Sequence, residues 1–149
     1  ATRVLRRFRV VFNTVKTHFR AVEKRAGVAG AQVWALSVVG EQPGIGVGEL
    51  ARAMDIHQST ASNLLKPLIE DGLLAAERSG TDRRAVQLKL TAAGQKVLRK
   101  APGPFTGVLP EALARLDKRT LARLDRDLER VIEALGADEK SNLPLGSPE

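Results

Sequence analysis

The sequence predicts a mostly helical α+β fold: a helix-turn-helix with a small β-hairpin, framed by long helices at both ends of the chain. Three observations carry this expectation. Apolar residues recur at helical spacing along most of the 149 residues. One stretch, "RSGTDRRAVQL", joins an arginine-packed Gly-Thr-Asp turn to strict apolar/polar alternation. Around residue 55, two short helical patterns are separated by room for a tight turn only.

A chain of this length suits one domain with its own core. It contains no cysteine, which excludes disulfides, thiolate metal sites and a thiol redox switch. No signal-peptide pattern and no apolar run of bilayer length is present, so the sequence reads as soluble and cytoplasmic, with no membrane partner. It begins on Ala1 rather than Met, so the native start can lie upstream. The formal net charge of +7 is concentrated in the first 25 residues, where eight basic side chains face Glu23 alone. Basic character of this kind suits an anionic partner, although solvated cationic faces are common without one.

Val4, Leu5, Phe8, Val11, Phe12, Val15, Phe19 and Val22 make residues 3–25 a long amphipathic helix. "AQVWALSVVG" reads as a shorter buried helix ending at Gly40, and "EQPGIGVG" as a loop. Leu50, Ala51 and Met54 mark a helix from Gly48 to Met54. Ala61, Leu64, Leu65, Leu68 and Ile69 form one face of the next, with Gly72 as its stop. Its other face, Gln58, Ser59, Ser62, Asn63 and Lys66, is polar and free of carboxylates. Pro67 removes a donor and is expected to kink this helix against the Asn63 carbonyl. Leu74–Arg78 and Ala85–Leu90 are the strands, with Val86, Leu88 and Leu90 on one face. Thr91 caps a helix to Lys100, Leu109 to Leu116 is a short helix, and Asp117 caps a last long helix striped by Leu121, Leu124, Leu128, Val131, Ile132 and Leu135. The two end helices carry stripes that a small core has no room for, which favours helix–helix pairing over a membrane surface. The tail "SNLPLGSPE" has the composition of a mobile linker. The division is therefore residues 1–40, 41–100, 101–137 and a flexible tail, 138–149.

Catalysis has little support. Asp82, Arg83 and Arg84 have no nucleophile, histidine or second carboxylate beside them, and the alternatives are a solvated turn ordered by Asp82 or a cationic finger for a polyanion. His18 and His57 lack metal-ligand spacing, so no metal is expected; His18 packs on the first helix and His57 caps the helix after it. "PGIGVG" lacks the ending of a phosphate loop. Trp34 is a core or pocket aromatic. No cofactor is called for.

The run "VGELARAMDIHQSTASNLLKPLIEDGLLAAERSGTDRRAVQLKLTAAG", Val47 to Gly94, resembles the MarR family of bacterial transcriptional regulators. The family's Asp-x-Arg wing signature and following Leu-x-Leu-Thr match Asp82, Arg84, Leu88, Leu90 and Thr91, and its Gly-Leu step matches Gly72 and Leu73. The resemblance implies a winged helix-turn-helix in a homodimer joined by its N- and C-terminal helices, reading a pseudo-palindromic operator on double-stranded DNA, and no enzyme. It implies a recognition helix at 57–71 and a wing at 78–85. Gln58, Ser59, Thr60, Ser62 and Asn63 would then read base edges, Lys66 and Arg52 phosphates, and Arg83 and Arg84 would be the wing's cations, oriented by Asp82. The family also implies a repressor relieved by a small aromatic or phenolic ligand between the dimer helices and the winged module; no motif assigns its pocket. The absence of cysteine excludes the peroxide-sensing, thiol-based branch. The competing class is a winged helix that binds protein, which an acidic recognition face would have favoured.

Overall fold

The computed structural model describes residues 1–78, 85–138 and 142–148. In chain order the elements are α1 (Thr2–Ala26), α2 (Gly30–Glu41), α3 (Val47–Met54), α4 (Gln58–Glu70), β1 (Leu74–Arg78), β2 (Val86–Leu90), α5 (Ala92–Lys100), α6 (Val108–Ala114) and α7 (Lys118–Leu135). Every helix and strand expected from periodicity is present, with ends within two residues.

The core is built around α2. Its sequence, GAQVWALSVVGE, is apolar nearly all round, which suits a helix enclosed on every side. It packs against α3, α4, α5, β2 and α1. Leu36 and Val39 are completely enclosed, and Leu50, Leu65, Leu68, Leu74 and Leu88 close around them. Each such side chain contributes about 1.5–3 kcal/mol by leaving water. α4 enters this core with Ala61, Leu64, Leu65 and Leu68, the apolar face read from its spacing, whereas Ile69 remains at the rim.

β1 and β2 pair antiparallel with Leu74 opposite Leu90 and Arg78 opposite Val86. The stretch expected to be a plain loop contributes more than that. Ile45 forms a one-residue bridge to Leu88, the Gly44 N–H reaches the Leu88 carbonyl at 2.8 Å, and the Leu88 N–H reaches Ile45 at 2.9 Å. A bridge this short has no period to read in a sequence. Its effect is to bury Ile45 and fix the hairpin base beside α3.

The turn from α4 into β1 is locked to the start of α5. Gly72 takes φ +72, a left-handed conformation suited to glycine, and ends α4 with its N–H on Ile69. The Thr91 hydroxyl donates towards the Gly72 and Leu73 carbonyls at 2.7 and 3.0 Å and accepts the Gly94 N–H at 3.1 Å. Gly94 is pressed so closely on the Leu73 carbonyl that no Cβ fits between them. The Gly-Leu and Leu-Thr pairs of the sequence are thus one joint.

Pro67 falls inside α4 as expected, while His57 and the tail depart from expectation. The helix continues past Pro67 to Glu70, and Asn63, whose carbonyl loses the donor, lies on the exposed face, where water can replace it. His57 stands at the cap position of α4, but its side chain makes no capping bond, in keeping with the weak preference of histidine there. Residues 142–148, whose composition reads as a linker, lie against α1 and α2: Pro144 is buried and the Gly146 carbonyl accepts the Ala31 N–H at 3.0 Å.

Candidate nucleic-acid interface

α3 and α4 are joined by a turn that depends on Asp55. This residue adopts φ +54, a region aspartate tolerates, and its N–H reaches the last carbonyls of α3 while the Ile56 N–H returns to Ala51 at 3.0 Å. α3 buries Leu50, Ala51 and Met54, which orients α4 across it. With Ala61, Leu64, Leu65 and Leu68 committed to the core, the opposite face of α4 must point outward.

That face carries most of the residues expected to contact a nucleic acid. Gln58, Ser59, Ser62, Asn63 and Lys66 are exposed on α4, and Arg52 is exposed on α3. Thr60 is half-buried, turned partly towards the core side, so it is set back from the others. Among the described residues, none of these side chains has a hydrogen bond or ion pair within the chain. Their donors and acceptors therefore remain available to a partner.

Arg52 and Gln58 approach each other over Gly48, each with a terminal atom within 4 Å of where a Cβ on that glycine would stand. From there a groove of about 480 Å³ runs between α4 and the hairpin base, lined by Gly46, Glu49, Gln58, Ser62 and Gln87 among others. Sequence reasoning missed two of these. Gln87 was legible only as an outward position in the strand alternation, and Glu49 brings a carboxylate beside the first turns of α4, where Gln58, Ser59, Ser62 and Asn63 have none. The hairpin base is crossed by an ion pair, Lys89 Nζ to Glu77 Oε2 at 2.9 Å, exposed enough to contribute no more than about 1 kcal/mol. Asp82, Arg83 and Arg84 lie outside the described residues.

Elsewhere the candidates for chemistry are sparse. His18 is half-buried on α1 with its ring 5.4 Å from that of Phe19, and among the described residues its Nε2 is enclosed without a partner. No group of three or more His, Asp or Glu among the described residues is placed to hold a metal ion. Nor is any helix among them long and apolar enough to cross a membrane.

Comparison with known proteins gives this geometry a family. The model of the MarR family matches residues 26–85, from the end of α1 to the residue before β2. Over 108 residues the chain is 31% identical to the HTH-type transcriptional repressor Mb2911 of Mycobacterium bovis, covering 69% of this chain and 71% of that repressor. The chain belongs to the MarR family.

As a MarR-family protein it is a transcriptional regulator with a winged helix-turn-helix, and its relatives are regulators rather than enzymes. It is 32% identical over 111 residues to a protein named as a regulator of the hcr operon in Thauera aromatica; that match covers 74% of this chain and spans 61% of the relative's length. Among solved structures it is similar to the M. tuberculosis transcriptional regulator MosR in complex with DNA, with a TM-score of 0.57, 26% identity, and coverage of 89% of this chain and 94% of that one.

Proposed function

We propose that this MarR-family regulator is a cytoplasmic homodimeric repressor that reads a pseudo-palindromic operator on double-stranded DNA with α4. The observation that carries this reading is the outer face of α4: Gln58, Ser59, Ser62 and Asn63 offer hydrogen-bonding groups with no partner among the described residues, on a helix whose inner face is fixed in the core. Such a face, whose first carboxylate comes only at Glu70 in the last turn, can pair with base edges through its N-terminal half. Thr60 joins them from its set-back position. Arg52 and Lys66 flank the face as phosphate contacts, and Arg83 and Arg84, oriented by Asp82, supply the wing's cations. The similarity to a DNA-bound MosR supports the same docking.

The dimer is supported by the apolar stripes of α1 and α7, much of which stays exposed among the described residues. Relief by a small aromatic ligand is supported by a cleft of about 400 Å³ beside Trp34, between α1, α6 and the α3–α4 turn.

The test is a titration of a fluorescent duplex carrying the protein's own promoter region, at two salt concentrations with nonspecific competitor. Asn63→Ala should cost about 1–3 kcal/mol and relax specificity at one base position. Arg84→Ala should weaken binding to all sequences and flatten the salt dependence. Unchanged affinity in both variants would show that the assigned surface is not the one that meets DNA. Binding lost in the nonspecific background would instead favour a protein partner for the same face.

A further inference from the structure

Residues 142–148 are held at both ends. Asn142 Nδ2 donates to the carbonyl oxygen of Asp55 at 3.0 Å, on the turn between α3 and α4. At the other end the Gly146 carbonyl accepts the Ala31 N–H at 3.0 Å, one of the first-turn donors of α2 that its own helix leaves open. Between them Pro144 is buried, and the Ser147 hydroxyl closes a turn on its carbonyl at 2.7 Å. Gly146 has φ +81, and a Cβ there would stand 2.7 Å from the Phe19 ring, so the backbone lies directly against that ring.

These residues complete the wall of the cleft beside Trp34. Leu143, Pro144 and Leu145 form one side, facing Val15, Phe19, Trp34, Leu109 and Leu113. Leu143 and Leu145 are themselves 63% and 54% exposed, so the segment is anchored by one proline and two backbone-directed hydrogen bonds rather than by a broad apolar face. The entropy lost in ordering seven residues offsets all that so few contacts return. A segment in that balance is able to let go.

We propose that residues 142–148 are an intramolecular strap that closes the cleft beside Trp34 and ties the α3–α4 turn to the first turn of α2, and that a small apolar molecule occupies the cleft fully only when the strap releases. The proposal rests on the part of the regulator reading that puts a small ligand beside Trp34, and it is independent of what α4 binds.

Trp34 is the sole tryptophan and reports directly on the strap. The experiment measures acrylamide quenching of its emission, and binding of anilinonaphthalene sulfonate, in the full chain and in full-length Gly146→Val, Pro144→Asp and Asn142→Ala, with circular dichroism to confirm the fold. Gly146→Val meets the Phe19 ring and Pro144→Asp places a carboxylate at a buried position, so both should raise quenching and dye affinity. Asn142→Ala removes one hydrogen bond and should raise dye affinity about fivefold. Quenching and dye binding that stay at the parent values in all folded variants would overturn the strap. Duplex binding followed on the same samples keeps the two readings apart: a failed strap leaves operator binding in place, and a failed operator leaves the fluorescence results standing.

Discussion

Nine of the twelve residues of α2 are buried and none of the eighteen of α7 is, although both helices carry several large apolar side chains. The difference lies in their arrangement. α2 is apolar around its circumference and is satisfied only inside a core, whereas α7 confines Leu121, Leu124, Leu128, Val131, Ile132 and Leu135 to one stripe between charged residues. A stripe needs a facing surface, and among the described residues α7 has little: Leu121 and Leu124 are only half-buried, Leu128, Val131 and Ile132 are 37–40% exposed and Leu135 is 74% exposed. α1 repeats the pattern, with Val22 as its one buried residue and Phe12 58% exposed. The middle of the molecule is thus complete within one chain, and its ends await something to cover them.

The sharpest way to break that comparison is to damage the middle. Leu36→Ala removes a completely enclosed side chain from α2 and should cost about 2–5 kcal/mol, lowering the melting temperature by a similar amount at every protein concentration. A melting shift that vanished at high concentration would mean that the central core is itself stabilised by association.

The ends should respond in the opposite way. With α7 paired to a second copy, Ile132→Glu places a charge in the shared stripe and forfeits about 1.5–3 kcal/mol of apolar burial per side chain. Sedimentation at micromolar concentration should then show dissociation, with α2 and its neighbours still folded by near-ultraviolet dichroism of Trp34. An Ile132→Glu protein that sedimented like its parent would place the pairing surface elsewhere.

Much of this division was legible in the sequence because both kinds of helix announce themselves by period. The spacing of Leu64, Leu65 and Leu68 gave the inner face of α4, and the polar remainder gave the candidate interface by subtraction. What stayed hidden was non-periodic. Ile45 pairs through a single residue, Glu49 and Gln87 join the groove only because the hairpin base folds against α3, and the docking of Pro144 and Gly146 depends on the Phe19 ring and one open N–H of α2. None of these contacts leaves a repeating signature, and the last two unite residues more than a hundred positions apart.

The smallest expected effect concerns how α7 begins. The Asp117 carboxylate accepts the Thr120 N–H at 2.9 Å and its hydroxyl at 2.8 Å, and these two bonds, the backbone one foremost, hold its pKa below the ordinary 3.8. A carboxylate depressed in the folded state stabilises that state above its ordinary pKa, and the contribution is lost as pH falls through the lower folded value. Asp117→Asn keeps a capping oxygen without titrating. The two proteins should therefore show equal helix content near neutrality, and only the parent should lose the additional increment below pH 3.8, on top of the acid response both share. Because the group is fully exposed, the increment is small and belongs to the first turn of α7 alone. Acid curves that superimpose throughout would mean that the start of α7 is held by its pairing surface and owes nothing to its cap.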